Sequence, residues 1–323
     1  MKEWVFMDID VIGVPMDFGS DRRGVDMGPS AIRYSGLENA VKNLGVNYRD
    51  VGNISVPIPE SRSDAAQTKF RYINEINRVN EALYERVRKS LQEGKMPLVL
   101  GGDHSIAVGT LMGVQSVYKN IGVIWMDAHG DFNTENTTIT GNLHGMSLAA
   151  STGAGALEMT AFKPKDVSCI NPGKAVIVGA RCLDNEEVKL LRQSDVTVFT
   201  MEDIDMHGMR SIMQKAIEIV ESGTEGFHLS FDIDVITPTE APGVGTPVKG
   251  GLTYREAHLA AEMLSKSTKL RSLEFVELNP ILDHSNMTGE LAVSLICSVL
   301  GKSIYSELPP PAEVDGFSVH SGS

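Results

Sequence analysis

Short runs of apolar and β-branched residues recur along the chain: Val11–Val14, Leu98–Leu100, Ile121–Trp125, Ala175–Val178, Val196–Phe199, Phe227–Phe231 and Leu273–Val276. Each is followed by a polar or glycine-rich break and then by helical spacing of apolar positions. Continuous apolar runs suit strands buried on both faces, so the alternation predicts an α/β fold with a parallel sheet covered by helices on both sides. Thr253 with Glu256 three residues on forms a capping box, opening a helix whose apolar positions are Leu259, Met263 and Leu264. Pro29 suits the first turn of a helix carrying Ala31, Ile32 and Leu37, with Gly45 as its stop. Between Asp64 and Gly94, Ile73, Ile76, Val79, Leu83, Val87 and Leu91 are spaced three or four apart and predict one long helix outside the sheet. Gly52–Ser63, with Pro57 and Pro59, reads as an irregular loop. No internal repeat or Ser/Gly linker divides the chain, so residues 1–305 are expected to form a single domain, followed by a mobile tail over 306–323 that opens with three consecutive prolines.

Composition narrows the class. Apolar residues make up 42% and charged residues 22%, which removes disordered and membrane-spanning readings. The balance of 29 Lys+Arg against 42 Asp+Glu gives a net charge of −13, which opposes binding to nucleic acid or an anionic membrane and suits a cationic small molecule. Cys169, Cys182 and Cys297 form no Cys-x-x-Cys spacing, so neither a disulfide framework nor a zinc ribbon is indicated. Glu3, Asp8 and Asp10 interrupt any signal-peptide core, and Leu291–Leu300 is about half the ~20 residues a membrane span needs. A soluble cytoplasmic protein is expected.

The chemistry follows the strands. After Leu98–Leu100 comes Gly101-Gly102-Asp103-His104-Ser105, and after Ile121–Trp125 comes Asp127-Ala128-His129-Gly130-Asp131. Asp232-Ile233-Asp234 follows Phe231, and Glu277 follows Val276. Open parallel sheets place their ligand crevice beyond the carboxyl ends of the strands, so these groups are expected to converge. The alternation of Asp127, His129 and Asp131, and of Asp232 and Asp234, would put each set on one side of an extended segment. With His104 this makes four carboxylates and two imidazoles, enough negative charge to hold two divalent cations if carboxylates bridge them. Oxygen-rich ligation with two nitrogens and no thiolate favours Mn²⁺ over a structural zinc site.

Arg23-Gly24-Val25-Asp26-Met27-Gly28-Pro29, the two metal motifs above, Asp131-Phe132-Asn133-Thr134, Gly141-Asn142-Leu143-His144-Gly145, Ser230-Phe231-Asp232-Ile233-Asp234, Gly243-Val244-Gly245-Thr246-Pro247 and Glu277-Leu278-Asn279-Pro280 resemble the ureohydrolase family in order and spacing. Within it they resemble bacterial arginases most. The resemblance runs from about Ile12 to about Gly301 and implies a three-layer α/β/α fold with a central, mostly parallel sheet. It also implies an enzyme that cleaves L-arginine to L-ornithine and urea by attack of a metal-bridging hydroxide. Two Mn²⁺ would be held per subunit: one by His104, Asp127, Asp131 and Asp232, the other by Asp127, His129, Asp232 and Asp234. Glu277 would hold the guanidinium and His144 would shuttle a proton. Asn133, Thr140, Asn142, Asp184, Glu187 and Thr246 would serve the rest of the substrate, Asp184 at the α-amino group and Asn133 and Thr140 at the α-carboxylate. A homo-oligomer is implied, hexamer before trimer.

One departure stands beside the last ligand, where many arginases read Asp-Gly-Leu-Asp-Pro and this chain reads Asp234-Val235-Ile236-Thr237-Pro238. Agmatinase or another guanidino hydrolase would share the metal core without the amino-acid clamp, and a catalytically weak homologue is the reading this departure leaves open. A single-zinc deacetylase would not need the full ligand set. His228 and His258 read as satisfied structural histidines, Met112 and Met146 as core, Cys182 as a buried inert thiol, and Arg22-Arg23 as a surface or subunit contact.

Overall fold

The computed structural model describes residues 8–58, 70–303 and 305 of the chain. Among them eight strands form one sheet: β1 Asp8–Val14, β2 Asn47–Asn53, β3 Met96–Gly101, β4 Ile121–Met126, β5 Ala175–Ala180, β6 Thr197–Thr200, β7 Gly226–Asp232 and β8 Leu270–Val276. Their order is β2-β1-β3-β8-β7-β4-β5-β6, and every neighbouring pair is parallel. The chain therefore leaves β3, crosses two places to β4, and later returns to insert β7 and β8 between them. The four strands that precede the acidic and imidazole motifs thus lie side by side in the middle of the sheet.

Both faces of the sheet are buried, and alternate residues of each strand feed different layers. Ile9, Val11, Leu98, Leu100, Ile124 and Met126 pack with α1 (Gly28–Tyr34), α2 (Leu37–Lys42), α7 (Met201–His207), α8 (Met209–Glu221), α9 (Tyr254–Leu264) and α10 (Met287–Val299). Ile12, Val14, Val99, Val123 and Trp125 face the opposite layer, built from α3 (Ile73–Gln92), α4 (Ala107–Val117) and α5 (Ser147–Thr152). A short helix after β5, α6 (Asn185–Gln193), adds Leu191 to that second layer. This is the three-layer α/β/α arrangement, and it explains the unbroken apolar runs.

All seven anticipated strands are present, and Thr253 caps α9 through Oγ1, which accepts from the Glu256 N–H, while Glu256 Oε2 accepts from the Thr253 N–H. Three differences have physical causes. β2 pairs only with β1 at the sheet edge and is mostly exposed, so Asn47–Asn53 carries no apolar run, and Gly52 and Asn53 belong to a strand rather than to a loop. The helix expected from Pro29 to Gly45 is two helices, because Gly36 adopts φ 81 and ends the first run. The long helix begins at Ile73, since Tyr72 sits at φ 58. Part of that expected helix and of the Gly52–Ser63 loop, and the tail over 306–323, lie outside the described residues. No helix among the described residues is long and apolar enough to cross a membrane, and Leu291–Val299 belongs to α10 in the core.

The edge is fastened by Asp10, which is fully buried on β1. Its two oxygens accept from Arg49 Nε and Nη2, both at 2.6 Å, and Oδ2 also accepts from Ser90 Oγ on α3 at 2.6 Å. Burial alone would raise its pKa, but hydrogen bonds from Arg49 and Ser90, and the charges of Arg49 and Lys95, outweigh it and hold the carboxyl below 3.8. Asp10→Ala removes charge-assisted hydrogen bonds to Ser90 and Arg49 but leaves Arg49 half exposed and paired with Glu93, so it is predicted to lower stability in urea unfolding by about 1.5–3 kcal/mol. Because the folded pKa is depressed, the contribution is complete above the ordinary value of 3.8 and is lost as the pH falls through the folded value. A variant within about 0.5 kcal/mol of the parent at neutral pH would contradict this role.

Candidate metal centre

Each ligand-bearing loop is shaped by its own backbone donors. Gly102 follows β3 where the main chain of Met16 passes so closely that a side-chain carbon would lie 1.8 Å from the Met16 carbonyl oxygen, so only glycine fits. Asp103 then caps a short 3₁₀ turn, its Oδ1 accepting from the Ser105 N–H at 2.9 Å, and presents His104. After β4, Asp127 Oδ1 accepts from the His129 N–H at 2.7 Å and Oδ2 from Trp125 Nε1 at 3.0 Å. After β7, Asp232 Oδ1 accepts from the Asp234 N–H at 2.8 Å, and Asp234 Oδ1 from the Ala128 N–H at 3.2 Å. The Asp127–Asp131 segment is not extended: Asp131 takes a left-handed φ of 47, and a turn, rather than strand alternation, brings its carboxylate inward.

The expected metal residues do converge. His104, Asp127 and Asp232 form one group of potential ligand atoms lying within 4.8 Å of one another, and Asp127, His129 and Asp234 form a second. His104 Nδ1 stands 3.1 Å from Asp127 Oδ2, 3.0 Å from Asp131 Oδ2 and 3.3 Å from Asp232 Oδ2. His129 Nδ1 stands 3.3 Å from Asp127 Oδ1 and 3.1 Å from Asp234 Oδ2. Asp127 thus turns one oxygen toward each imidazole.

The donor set suits a cation. The His104 ring stacks on Trp125 at 3.9 Å, and its Nε2 lies 2.7 Å from Ser230 Oγ. Ser230 gives its one proton to Glu274 Oε1 at 2.8 Å, so Ser230 accepts from Nε2–H and the Nδ1 lone pair points among the carboxylates, available to a cation. Nδ1 is buried, and none of its three carboxylate contacts is aligned as a hydrogen bond. The unaligned imidazole nitrogen and the Asp127 and Asp232 oxygens grouped with it fit a metal ion better than a proton, while Asp131 stands beside His104 but outside that group. Without metal the charges are in conflict: burial and Asp127 push Asp131 up to about 6, and burial with Asp234 and Asp127 raises Asp232. Burial works against protonation of His104 and His129, yet the surrounding carboxylates raise both well above 6.5.

Above this floor lies a cleft of about 140 Å³ lined by His144, Asn133, Thr140, Asn142, Asp184, Glu187 and Thr246, with His129, Asp131 and Asp232 at its base. Asn133 Nδ2 donates to Asp184 Oδ2 at 3.1 Å. Glu187 is a brace: Oε1 accepts from the Phe132 N–H at 2.9 Å and Oε2 from the Asp184 N–H at 3.3 Å, and burial lifts its carboxyl to about 7. Thr246 Oγ1 donates to Asp234 Oδ2 at 3.0 Å. Thr140 Oγ1 accepts from the Asn142 N–H at 3.2 Å, shaping the rim turn. Glu277, at φ 65 beyond β8, accepts at Oε1 from the His104 N–H at 2.8 Å and pairs there with His144 Nδ1 at 2.9 Å, while its buried Oε2 has no partner. Burial opposes it, but Glu277, with Asp131 and Asp103, raises the His144 pKa to about 9.

Other residues settle as follows. Cys182 is exposed and lines the cleft, and its hydrogen bond with His129 lowers the thiol pKa, so it is not a buried inert thiol. Thr138 also lines the cleft; its side chain, which accepts from the Gly141 N–H, gave no signal in sequence. Arg22 reaches inward to the Gly245 carbonyl at 2.8 Å rather than serving only the surface. His228 and His258 are buried beside Ser272 and Ser298, Met112 and Met146 are core, and Val235 and Ile236 pack into the core without displacing Asp234. A larger hollow of about 420 Å³ along α3, lined by Glu85, Arg86 and Lys89 among others, contains none of these groups.

The relay behind His104 generates a prediction. Glu274→Gln keeps the shape but removes the anion that receives the Ser230 proton, and is expected to weaken Mn²⁺ binding to metal-stripped protein by about 10- to 100-fold. Calorimetric titration giving the parent affinity would show that the relay does not set the His104 tautomer.

The comparisons with known proteins agree with this geometry. The Arginase family model matches residues 7–301. The arginase of Bacillus caldovelox is 46% identical over 92% of this chain and 99% of its own, and that of Bacillus subtilis 48% identical over 92% and 98%. The native crystal structure of the B. caldovelox arginase superposes with a TM-score of 0.89 over 93% of this chain and 100% of that one. A structure of Entamoeba histolytica arginase in complex with L-ornithine, 32% identical, matches with a TM-score of 0.84 over 92% and 99%. A sheet that gathers two imidazoles and five carboxylates, Glu277 among them, beyond its four central strands, and a likeness extending over nearly the whole chain, place this protein in the arginase family.

Proposed function

We propose that this protein is a dinuclear manganese arginase that hydrolyses L-arginine to L-ornithine and urea, working in the cytoplasm as a homo-oligomer, hexamer before trimer, with residues 1–305 as one catalytic domain. The observation that carries the reading is the buried, unpartnered Oε2 of Glu277, whose other oxygen pairs with His144 in the wall of a cleft that Asn133, Thr140 and Asp184 also line. A guanidinium fits the first and an α-amino acid the second. The family relationship supports a metal-dependent hydrolase, and the L-ornithine complex of the Entamoeba relative supports an amino-acid product.

His104, Asp127, Asp131 and Asp232 would hold one Mn²⁺, and Asp127, His129, Asp232 and Asp234 the other. When bound, two such cations lower the pKa of water enough to make it a nucleophile at mild pH. The chain's own residues do the rest. Glu277 Oε2 accepts from the planar guanidinium donors and orients the carbon for attack. His144, protonated near neutral pH beside Glu277, has the proton needed by the departing amine. At the rim, Asp184 faces the α-ammonium, while Asn133, Thr140 and Asn142 face the α-carboxylate. Glu187 and Thr246 hold Asp184 and Asp234 in place through the hydrogen bonds described above.

Chelation is expected to abolish urea release, with Mn²⁺ restoring it better than Mg²⁺ or Zn²⁺. Asp127→Asn should cost more activity and more bound metal than Asp131→Asn, because Asp127 faces both imidazoles. Full activity in metal-free protein, or two tightly bound ions in Asp127→Asn by elemental analysis, would contradict the assignment.

Discrimination between arginine and its decarboxylated analogue agmatine must come from the rim, because both carry the guanidinium. With agmatine the carboxylate-facing donors lose their partner, and unpaired polar groups of this kind support large selectivities. The kcat/KM for L-arginine should exceed that for agmatine by about a hundredfold or more. Asp184→Ala should narrow the gap mainly by harming arginine turnover. Comparable rates on both substrates with Mn²⁺ present would leave the guanidino chemistry standing and remove the arginine specificity.

A further inference from the structure

Arg181, the residue after β5, links both ligand-bearing loops of the second metal group. Its main-chain N–H donates to the Ala128 carbonyl at 2.8 Å, between Asp127 and His129. The Ala128 N–H donates in turn to Asp234 Oδ1 at 3.2 Å. The Arg181 guanidinium closes the ring, with Nη2 donating to the carbonyl of Asp234 at 2.7 Å and Nη1 to that of Val235 at 3.0 Å. The same fork reaches the loop behind Thr246, through Nη2 to the Val248 carbonyl at 2.9 Å and Nε to the Lys249 carbonyl at 3.2 Å.

Main-chain acceptors are an unusual use of a half-buried guanidinium, which more often serves a carboxylate or solvent. Here the rigidly disposed N–H groups of one guanidinium meet carbonyls from two separate segments, 234–235 and 248–249, a task that neither a hydroxyl nor an amide could cover. The ring runs through Ala128, the residue before His129, and through both the side chain and the carbonyl of Asp234, so one residue set back from the cleft ties the His129 loop to the Asp234 loop. The His104 group has its own support in Ser230 and Glu274, on different strands. The two halves of the centre are therefore braced independently.

We propose that Arg181 is a positioning residue for the His129–Asp234 half of the metal centre, holding the 127–129 and 234–236 loops in register through its fork of donors. The inference rests on the two-cation reading above. It concerns the affinity of one ion rather than of both, and geometry rather than charge.

The test uses the full-length protein, stripped with chelator and titrated calorimetrically with MnCl₂, with fold checked by circular dichroism and thermal unfolding. Arg181→Met keeps the length and loses every donor; the first ion should bind as in the parent and the second about 10- to 100-fold more weakly, so that dialysed protein retains one Mn²⁺ per subunit. Arg181→Lys keeps the charge but not the fork, and should weaken the second ion by a smaller factor. If Arg181→Met does not fold, the lysine variant decides alone: a weakened second ion supports the proposal and parent affinity overturns it. Two ions bound at parent affinity in Arg181→Met, or equal weakening of both ions in a folded variant, would also overturn it. A parent protein that binds no Mn²⁺ would instead defeat the two-cation reading itself, so the two failures are told apart.

Discussion

Four buried carboxylates share one crevice, and their mutual repulsion is the constraint around which the centre is built. At an effective dielectric near 20, two unit charges 4 Å apart interact by about 4 kcal/mol, so negative charge gathered on this many neighbouring carboxylates calls for compensation. Compensation comes in layers. Backbone N–H groups of His129, Asp234 and Ala128 point into the cluster, two imidazoles face it, and a pair of divalent cations would neutralise what remains. The insertion of β7 and β8 between β3 and β4 has its purpose here, because it brings four strand ends to one point without any of the loops having to travel.

Floor and rim are made differently. The floor stands on buried strands and short 3₁₀ turns, and its side chains are held by partners such as Trp125, Ser230 and Glu274 that lie inside the sheet. The rim is a set of loop residues, Asn133, Thr138, Thr140 and Asn142, together with the first turn of α6. Glu187 is the joint between them, since one of its oxygens serves the floor loop at Phe132 and the other the rim at Asp184. Such a division lets the bond-breaking apparatus stay fixed while the residues that select a substrate vary.

Much of this was legible in the chain because buried parallel strands announce themselves by unbroken apolar runs, and the ligands follow those runs directly. What stayed hidden shares one property: its meaning depends on a partner distant in sequence. β2 has polar composition because it sits at an edge, and only its pairing with β1 makes it a strand. Ser230 and Glu274 are two polar residues inside hydrophobic runs, 44 positions apart, and only their adjacency on β7 and β8 turns them into a relay. Arg181 is one arginine after a strand until the carbonyls of 234, 235, 248 and 249 surround it. Cys182 stands two residues before Asp184, a hint of the crevice, yet reads as a buried inert thiol because its exposure depends on the path of the loop.

The left-handed backbone of Asp131 has an evolutionary consequence. At φ 47 the residues that sit comfortably are glycine, asparagine and aspartate. Two of those three leave the fold intact and discard the carboxylate, and in metal-poor conditions losing it also relieves repulsion with Asp127. An uncharged residue at this position trades a ligand for less like-charge repulsion, a local instance of the tension between stability and activity. Only selection on the reaction keeps an acid there, so a lineage released from that selection would arrive first at a well-folded protein with an incomplete metal site.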